Sequence, residues 1–377
     1  MLHYLEIANF KSLKDVRLPL EKLNLFFGLN CAGKSSVLQA LLLLRQSYFY
    51  RNEESLAKLM LNAHLLRLGT SRDVLCQTAD TDQIKFYLKF EKGKFLNLAY
   101  TCSESGADSS LPLENTNEIK ANNFPSLLSV LEGEALFDEN FCYLAAEHIG
   151  PRRLYDMTKM NLGAVDMLGT HGEYAVPYLA INGENFHVPA RLCLAEGKTD
   201  SLIDQVSAWM SKISPGIRLR AETVEYEKNA KLLVSYDGNR LLTTDFSPVN
   251  VGFGIPYALP LIVEVLISNQ NSLLFIENPE SHLHPNGQTW MAELLARAAA
   301  NGAQILCESH SDHLINGVRV AVKEKTLRAD DVTVAYFDKN DDQETFIEEI
   351  QIDSNGTLDK YPKGLLDEWG NLMSKLI

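Results

Sequence analysis

The sequence predicts an α/β protein with a phosphate loop and a mostly parallel sheet covered by helices. Three observations carry that expectation. Gly28, Gly33, Lys34 and Ser35 fit the spacing G-x-x-x-x-G-K-[ST]. A short apolar strand (23–27) precedes the loop and an apolar run of good helix formers (37–44) follows it, the strand–loop–helix context that the spacing demands. In the last third of the chain, apolar strands alternate with helical segments, as in parallel sheets with both faces covered. Ligands of such sheets bind beyond the carboxyl ends of the strands. Gly28, Glu277 and His310 each stand just past a predicted strand end.

Each element follows from its pattern. Residues 4–7, 10–13 and 16–18 read as strands joined by turns, with a break at Pro19. The loop helix runs to about Tyr50, and 53–65 reads as a further helix. Residues 69–73 read as a loop. Ile84, Phe86, Leu88 and Phe90 alternate with polar residues, which is strand period, and Lys92-Gly93-Lys94 turns the chain into a second strand over 95–100. Residues 103–125 are rich in Ser, Glu, Asn and Gly and read as a loop. The stretch 126–240 shows one amphipathic helix (202–214) and two strands (217–224, 231–236), with Asp237-Gly238 as a turn. Then come a helix over 255–268, kinked by Pro260, and a buried strand over 272–276. Helix 286–300, strand 304–307, helix 314–322 and strand 332–337 complete the series.

Composition bounds the function. The chain has 377 residues, 46% hydrophobic and 22% charged, ordinary for a globular protein with a large core. A net charge of −14 argues against a surface built broadly for nucleic acid. The six cysteines are scattered without a C-x-x-C pair, which fits reduced thiols in a cytoplasmic setting. The N-terminus lacks the basic-then-apolar pattern of a signal peptide, and no apolar run is long enough to span a bilayer, so no membrane association is expected.

The chemistry of the loop is specific. Its glycines let backbone N–H groups point at phosphate oxygens, Lys34 brings charge to the β- and γ-phosphates, and the Ser35 hydroxyl suits Mg²⁺. Glu277 at a strand end is the acid expected to hold Mg²⁺ through water; its alternative is an acid that starts a turn. His310 either senses the γ-phosphate or caps a neighbouring helix. His282 and His284 invite a metal reading, but two histidines are too few ligands, and a structural role is preferred. Arg152 and Arg153 either contact phosphate or pair with carboxylates, and the second is preferred.

Eight segments together resemble a family: 9–44, 68–75, 149–153, 171–175, 250–262, 273–285, 308–319 and 361–369. They look like the prokaryotic ABC-type AAA ATPases with an OLD-like or RecF/SMC-like head. The resemblance implies a P-loop NTPase with an ABC-type head, an antiparallel β subdomain and a mixed insert. The expected parts are 1–100 with the Walker A, an insert lobe over 101–246, and 247–377 with the signature, Walker B and switch histidine. It implies that Gly28, Asn30, Cys31, Ala32, Gly33, Lys34, Ser35 and Ser36 form the Walker A, although Cys31 is unusual there. Asn250, Gly252 and Gly254 stand at the signature loop, Glu277 is the Walker B acid, and His310 is the switch histidine. The Q-loop glutamine is missing near 69–73, and Gln77 is close without being in register.

The implied cofactors are ATP and Mg²⁺, with Ser35 and Glu277 as metal ligands. The implied assembly is a head-to-tail homodimer. Two glycines in a five-residue turn make a second anion-binding loop, which a chain with one phosphate loop uses across a dimer. Where ABC-type Walker B motifs usually end Asp-Glu, this chain has Glu277-Asn278, so Asn278 can orient a water but cannot take its proton. Glu280 is the substitute base, or hydrolysis is slow. The expected function is an ATPase that controls a separate effector, a nuclease or toxin, in antiphage defence. A DNA-repair ATPase and a non-hydrolysing nucleotide sensor are the rivals, and DNA is a disfavoured partner.

Overall fold

A computed structural model describes residues 1–49, 56–114, 131–158, 160, 168–224, 227–237 and 243–376. In chain order the elements are β1 (Leu2–Phe10), β2 (Leu13–Pro19), β3 (Leu23–Gly28), α1 (Lys34–Phe49), β4 (Lys58–Met60), α2 (Ser71–Val74), β5 (Gln83–Phe90), β6 (Phe95–Thr101) and β7 (Ser110–Pro112). There follow β8 (Phe141–Leu144), β9 (Tyr155–Asp156), α3 (Ala175–Asn182), α4 (Leu202–Ile213), β10 (Ile217–Val224), β11 (Asn229–Tyr236) and α5 (Gly254–Ile267). The chain closes with β12 (Leu273–Glu277), α6 (Pro285–Ala300), β13 (Gln304–Glu308), α7 (Asp312–Lys323), β14 (Val332–Lys339), β15 (Thr345–Ile350) and α8 (Glu368–Leu376). The fold is mixed α/β, with parallel and separate antiparallel strand pairings, as the sequence predicts.

The chain divides into two compact units: 1–138 with 333–351 and 360–377, and 139–332 with 352–359. In the first unit, an antiparallel sheet has the order β2-β1-β5-β6. Its inner face is set by period-two burial: Leu5, Ile7, Phe86, Leu88, Leu96 and Leu98 are buried. The same unit places β14 between β15 and β3. Helix α1 follows β3 after the phosphate loop and buries Val37, Leu38 and residues 40–47. So wide a buried surface marks an interior helix, not a one-faced surface helix.

In the second unit, β12 lies between β13 and β8, all parallel, with Glu277 paired to Glu308 at the carboxyl end. Helices α5 and α6 supply apolar cover, and Pro260 sits inside α5 without ending it. Trp209 on α4 is fully buried, donates its indole N–H to the Leu192 carbonyl (2.8 Å), and meets Trp290 on α6 edge-on at 6.4 Å. A three-stranded antiparallel sheet, β10-β11-β9, completes this unit.

Five sequence expectations change. The strand expected over 10–13 is instead the turn between β1 and β2, and the loop expected over 103–125 contains β7 (115–125 lie outside the described residues). The helix expected over 53–65 is absent where it is described: residues 58–60 form β4, paired with β7 (53–55 lie outside the described residues). The loop at 69–73 contains a one-turn helix, α2, capped by Thr70 and Asp73. The short strand β8 carries no expected element at all. The Asp237-Gly238 turn falls partly outside the described residues.

Gly28 tests how tightly the first unit holds its loop. Its φ is +133°, and a β-carbon there would overlap the Phe337 carbonyl and approach the Phe337 nitrogen at 2.8 Å. Gly28→Ala is therefore expected to destabilise folding by about 3 kcal/mol, read as a fall in denaturant midpoint. An unchanged midpoint would remove the close approach from the account.

Candidate functional site

The phosphate loop is built entirely within the first unit. Strand β3 buries Leu23, Leu25, Phe26 and Phe27, so the chain emerges at Gly28 from a fixed direction. Gly33, at φ +104°, faces Thr345, whose hydroxyl lies 2.8 Å from the Ala32 carbonyl and 2.8 Å from the Ser12 hydroxyl. The loop is thus stitched to the start of β15 and to the β1–β2 turn. Asn30 and Cys31 are exposed, and Cys31 takes a φ of +62°. Lys34 is only 3% exposed. Its ammonium donates to the carbonyls of Gly28 (3.0 Å) and Leu29 (2.9 Å), which holds the charge inside the loop. Ser35 and Ser36 occupy the first turn of α1, where helix N–H groups lack intrahelical acceptors.

A cleft of about 540 Å³ adjoins this loop through Ser12. Lys11, Ser12, Arg72, Leu75, Gln77 and Glu344 are among its walls. Gln77, out of register in the sequence, therefore lines the cavity beside the loop. Hydrogen bonds from Thr78 and Asn340, then the Lys14 contact, hold the Glu344 carboxyl down to about 2. Burial lowers the Lys11 ammonium from its ordinary range. Sequence reasoning missed Ser12 as a loop support, although it lies in a segment that carries the family resemblance. No sequence signal pointed to Thr345.

The second unit presents two strand ends side by side. Glu277 accepts from the Tyr143 hydroxyl (3.0 Å) and from the Ala146 N–H (3.2 Å). Burial raises the Glu277 carboxyl, and these two hydrogen bonds oppose the rise. Burial, then the charge of Glu277, pushes the Tyr143 hydroxyl up, so it remains a donor. Asn278 sits at φ +50° and donates its N–H to the Glu308 carbonyl (2.9 Å). Its side-chain oxygen is buried with no hydrogen-bond partner among the described residues. Glu280 is committed elsewhere: its carboxylate accepts from the Ser309 hydroxyl (2.9 Å) and from the His310 N–H (2.7 Å). It ties the turn after β12 to the loop after β13, and His310 stands exposed on that loop.

The histidine pair is structural in its contacts. His284 caps α6 by accepting from Asn286 N–H (3.4 Å). The His282 ring packs edge-on against Phe253 (4.7 Å) and Tyr257 (4.9 Å). Asn250 and Gly252 lie in the loop before α5 and Gly254 opens the helix, and the two glycines differ. A β-carbon on Gly254 would meet the His282 carbonyl oxygen at 2.5 Å, whereas one on Gly252 would meet nothing within 4 Å.

That contrast yields an expectation. Gly254→Ala should lower the melting temperature by several degrees, about 2 kcal/mol, because backbone would have to move. Gly252→Ala should stay within about 0.5 kcal/mol of wild type. Equal destabilisation by the two would mean that Gly252 is a packing glycine.

Comparison with known proteins agrees with the fold. A model of the AAA ATPase domain matches residues 1–129 and 200–315. A model described as a protein of unknown function (DUF3696) matches 327–376. Among solved structures, an Smc head bound to the C-winged helix domain of ScpA is 13% identical, with a TM-score of 0.52 over 93% of this chain and 97% of that one. The SMC head domain from Thermotoga maritima is 12% identical, with a TM-score of 0.46 over 93% and 99%. A Pyrococcus furiosus Smc head with an extended coiled coil, bound to the C-terminal domain of ScpA, is 12% identical, with a TM-score of 0.49 over 100% and 99%. No curated protein matches the chain. No helix among the described residues is long and apolar enough to cross a membrane. The likeness to the first of these heads concerns fold alone; the domain model spans well over half of the sequence, and the chain belongs to the AAA ATPase domain family.

Proposed function

We propose that the chain is an ABC-type ATPase that binds ATP with Mg²⁺, dimerises head to tail around it and controls a separate effector protein. The observation that carries the reading is the phosphate loop, with Gly28 and Gly33 in conformations that favour glycine, Lys34 buried inside the loop and a sixteen-residue helix immediately after it. In this reading Gly28, Asn30, Cys31, Ala32, Gly33, Lys34, Ser35 and Ser36 cradle the phosphates. Ser35 and Glu277 are the Mg²⁺ ligands that the family resemblance implies. Their donors are hard oxygens, the type this ion prefers, and the buried Asn278 oxygen is a further acceptor that needs a partner such as a metal-bound water. Bound there, Mg²⁺ would neutralise charge on the phosphates. Asn250, Gly252 and Gly254 form the loop offered to the second copy, and the open space at Gly252 leaves room for a phosphate to approach the backbone.

Hydrolysis is slow in this reading. Asn278 has an amide where a proton acceptor is needed, and Glu280 spends its carboxylate on Ser309 and His310. The same observation favours a second reading, a nucleotide sensor that does not hydrolyse at all; measured turnover separates the two. Control of an effector in antiphage defence is motivated by the family resemblance alone.

Two experiments test the proposal. Lys34→Ala should weaken ATP binding strongly in a titration with labelled nucleotide, and ATP with Mg²⁺ should raise the mass of wild type, but not of Gly252→Asp, in light scattering. Identical masses under ATP would end the dimer reading. For the chemistry, wild-type turnover is expected at or below about 1 s⁻¹, and Asn278→Glu should raise it about tenfold or more by restoring a base. Wild-type turnover of about tens per second would contradict a site that lacks one.

A further inference from the structure

A single side chain among the described residues holds Glu277. One carboxylate oxygen accepts from the Tyr143 hydroxyl (3.0 Å), and the other accepts from the Ala146 N–H (3.2 Å). The two donors stand in different circumstances. Ala146 donates from the backbone and is pinned from behind, because its carbonyl accepts from the Tyr257 hydroxyl (2.6 Å). His148 fastens the same stretch: its Nδ1 meets the Tyr257 carbonyl at 2.8 Å, and the two rings stack at 4.1 Å. Tyr143 is therefore the contact that a substitution can remove from Glu277 while the backbone donor stays in place.

The sheet explains why a tyrosine stands there. β8 runs parallel to β12, with Tyr143 level with Phe275 and Leu144 level with Ile276. Side chains alternate between the faces of a strand, so Tyr143 shares a face with Phe275 and with Glu277, one pleat further on. A diagonal neighbour on a sheet is within reach of an aromatic side chain but not of a short one. A serine or threonine at 143 would stop short, and a phenylalanine would arrive without a donor. Tyr143 is 7% exposed, so packing fixes its ring. Burial, then the charge of Glu277, raises its hydroxyl from the ordinary range and keeps the proton on the oxygen. With one donor on each oxygen, the carboxylate resists rotation about its last bond, and each oxygen keeps a free acceptor direction.

We propose that Tyr143 is the positioning residue of Glu277: its hydroxyl fixes the orientation in which that carboxylate meets a divalent cation bound with nucleotide. This rests on the metal reading given above. In this role Tyr143 touches neither cation nor nucleotide and gives up no proton. Metal ligands depend on such outer partners, and losing one typically weakens metal affinity by about 10–100-fold.

The test uses the full chain, with Mn²⁺ as the probe, because paramagnetic resonance distinguishes free from bound Mn²⁺. In the presence of ATP, Tyr143→Phe should bind Mn²⁺ about tenfold more weakly than wild type. The Mg²⁺ concentration that half-saturates turnover should rise by the same factor. ATP affinity measured in a chelator should stay within about twofold, since the phosphate loop belongs to the other unit. Glu277→Gln is the positive control and should lose at least as much Mn²⁺ affinity. Tyr178→Phe takes the hydroxyl from another buried tyrosine, on α3, and should leave Mn²⁺ affinity within about twofold of wild type. If Tyr143→Phe matches wild type while Glu277→Gln is weakened, the proposal falls and the metal reading stands. If Glu277→Gln also matches wild type, the metal reading falls and takes the proposal with it. Equal losses in Tyr143→Phe and Tyr178→Phe, or a parallel loss of ATP affinity in chelator, mean a general loosening and overturn it as well. Should Tyr143→Phe fail to fold, Tyr143→Met, an adaptable side chain without a donor, takes its place with the same outcomes.

Discussion

The Gly28 backbone lies against the Phe337 backbone so closely that no side chain fits between them. The rest of the phosphate loop depends on that approach. It lets the loop turn back above β3 within a few residues, so the carbonyls of Gly28 and Leu29 converge on the Lys34 ammonium. Thr345 and Ser12 fasten the far side of the turn. The loop's shape is therefore held by strands more than 300 residues further along the chain as much as by its own glycines. A buried ammonium would be costly alone; two carbonyl acceptors offset that cost and hold the charge ready for exchange with phosphate oxygens.

The second unit solves a different problem, keeping carboxylates at strand ends without letting them wander. Glu277 and Glu280 are three residues apart and have different partners. Glu277 leans back on Tyr143 and the Ala146 N–H, and Glu280 reaches across to the loop of His310. Each carboxylate oxygen can accept more than one hydrogen bond, so Glu277 keeps acceptor capacity for a cation's waters. The Asn278 backbone bond to Glu308 locks the two strand ends in register between them.

What the sequence made legible was local. The strand before Gly28, the helix after Ser35 and the strands ending at Glu277 and Glu308 all have dense apolar patterns and clear punctuation. Residues 56–65 misled because Ala, Lys, Leu and Met favour helix, whereas pairing with 110–112 decides the outcome. β8 escaped notice because four apolar residues are too few to show a period, yet it carries Tyr143. The candidate residues were found by motif, but their partners were not. Glu280 meets Ser309 and His310 nearly thirty residues away, and Thr345 meets Ala32 from more than three hundred, distances that no local pattern records.

The buried indole of Trp209 has a practical consequence. Two of the three tryptophans, Trp209 and Trp290, face each other inside one unit, with the Arg297 guanidinium over the first ring (5.4 Å) and the Lys212 ammonium over the second (4.6 Å). Indole fluorescence depends on local polarity and on nearby charge. This pair makes the emission of the chain an optical probe weighted toward the unit that carries Glu277 and His310, responsive when α4 and α6 separate.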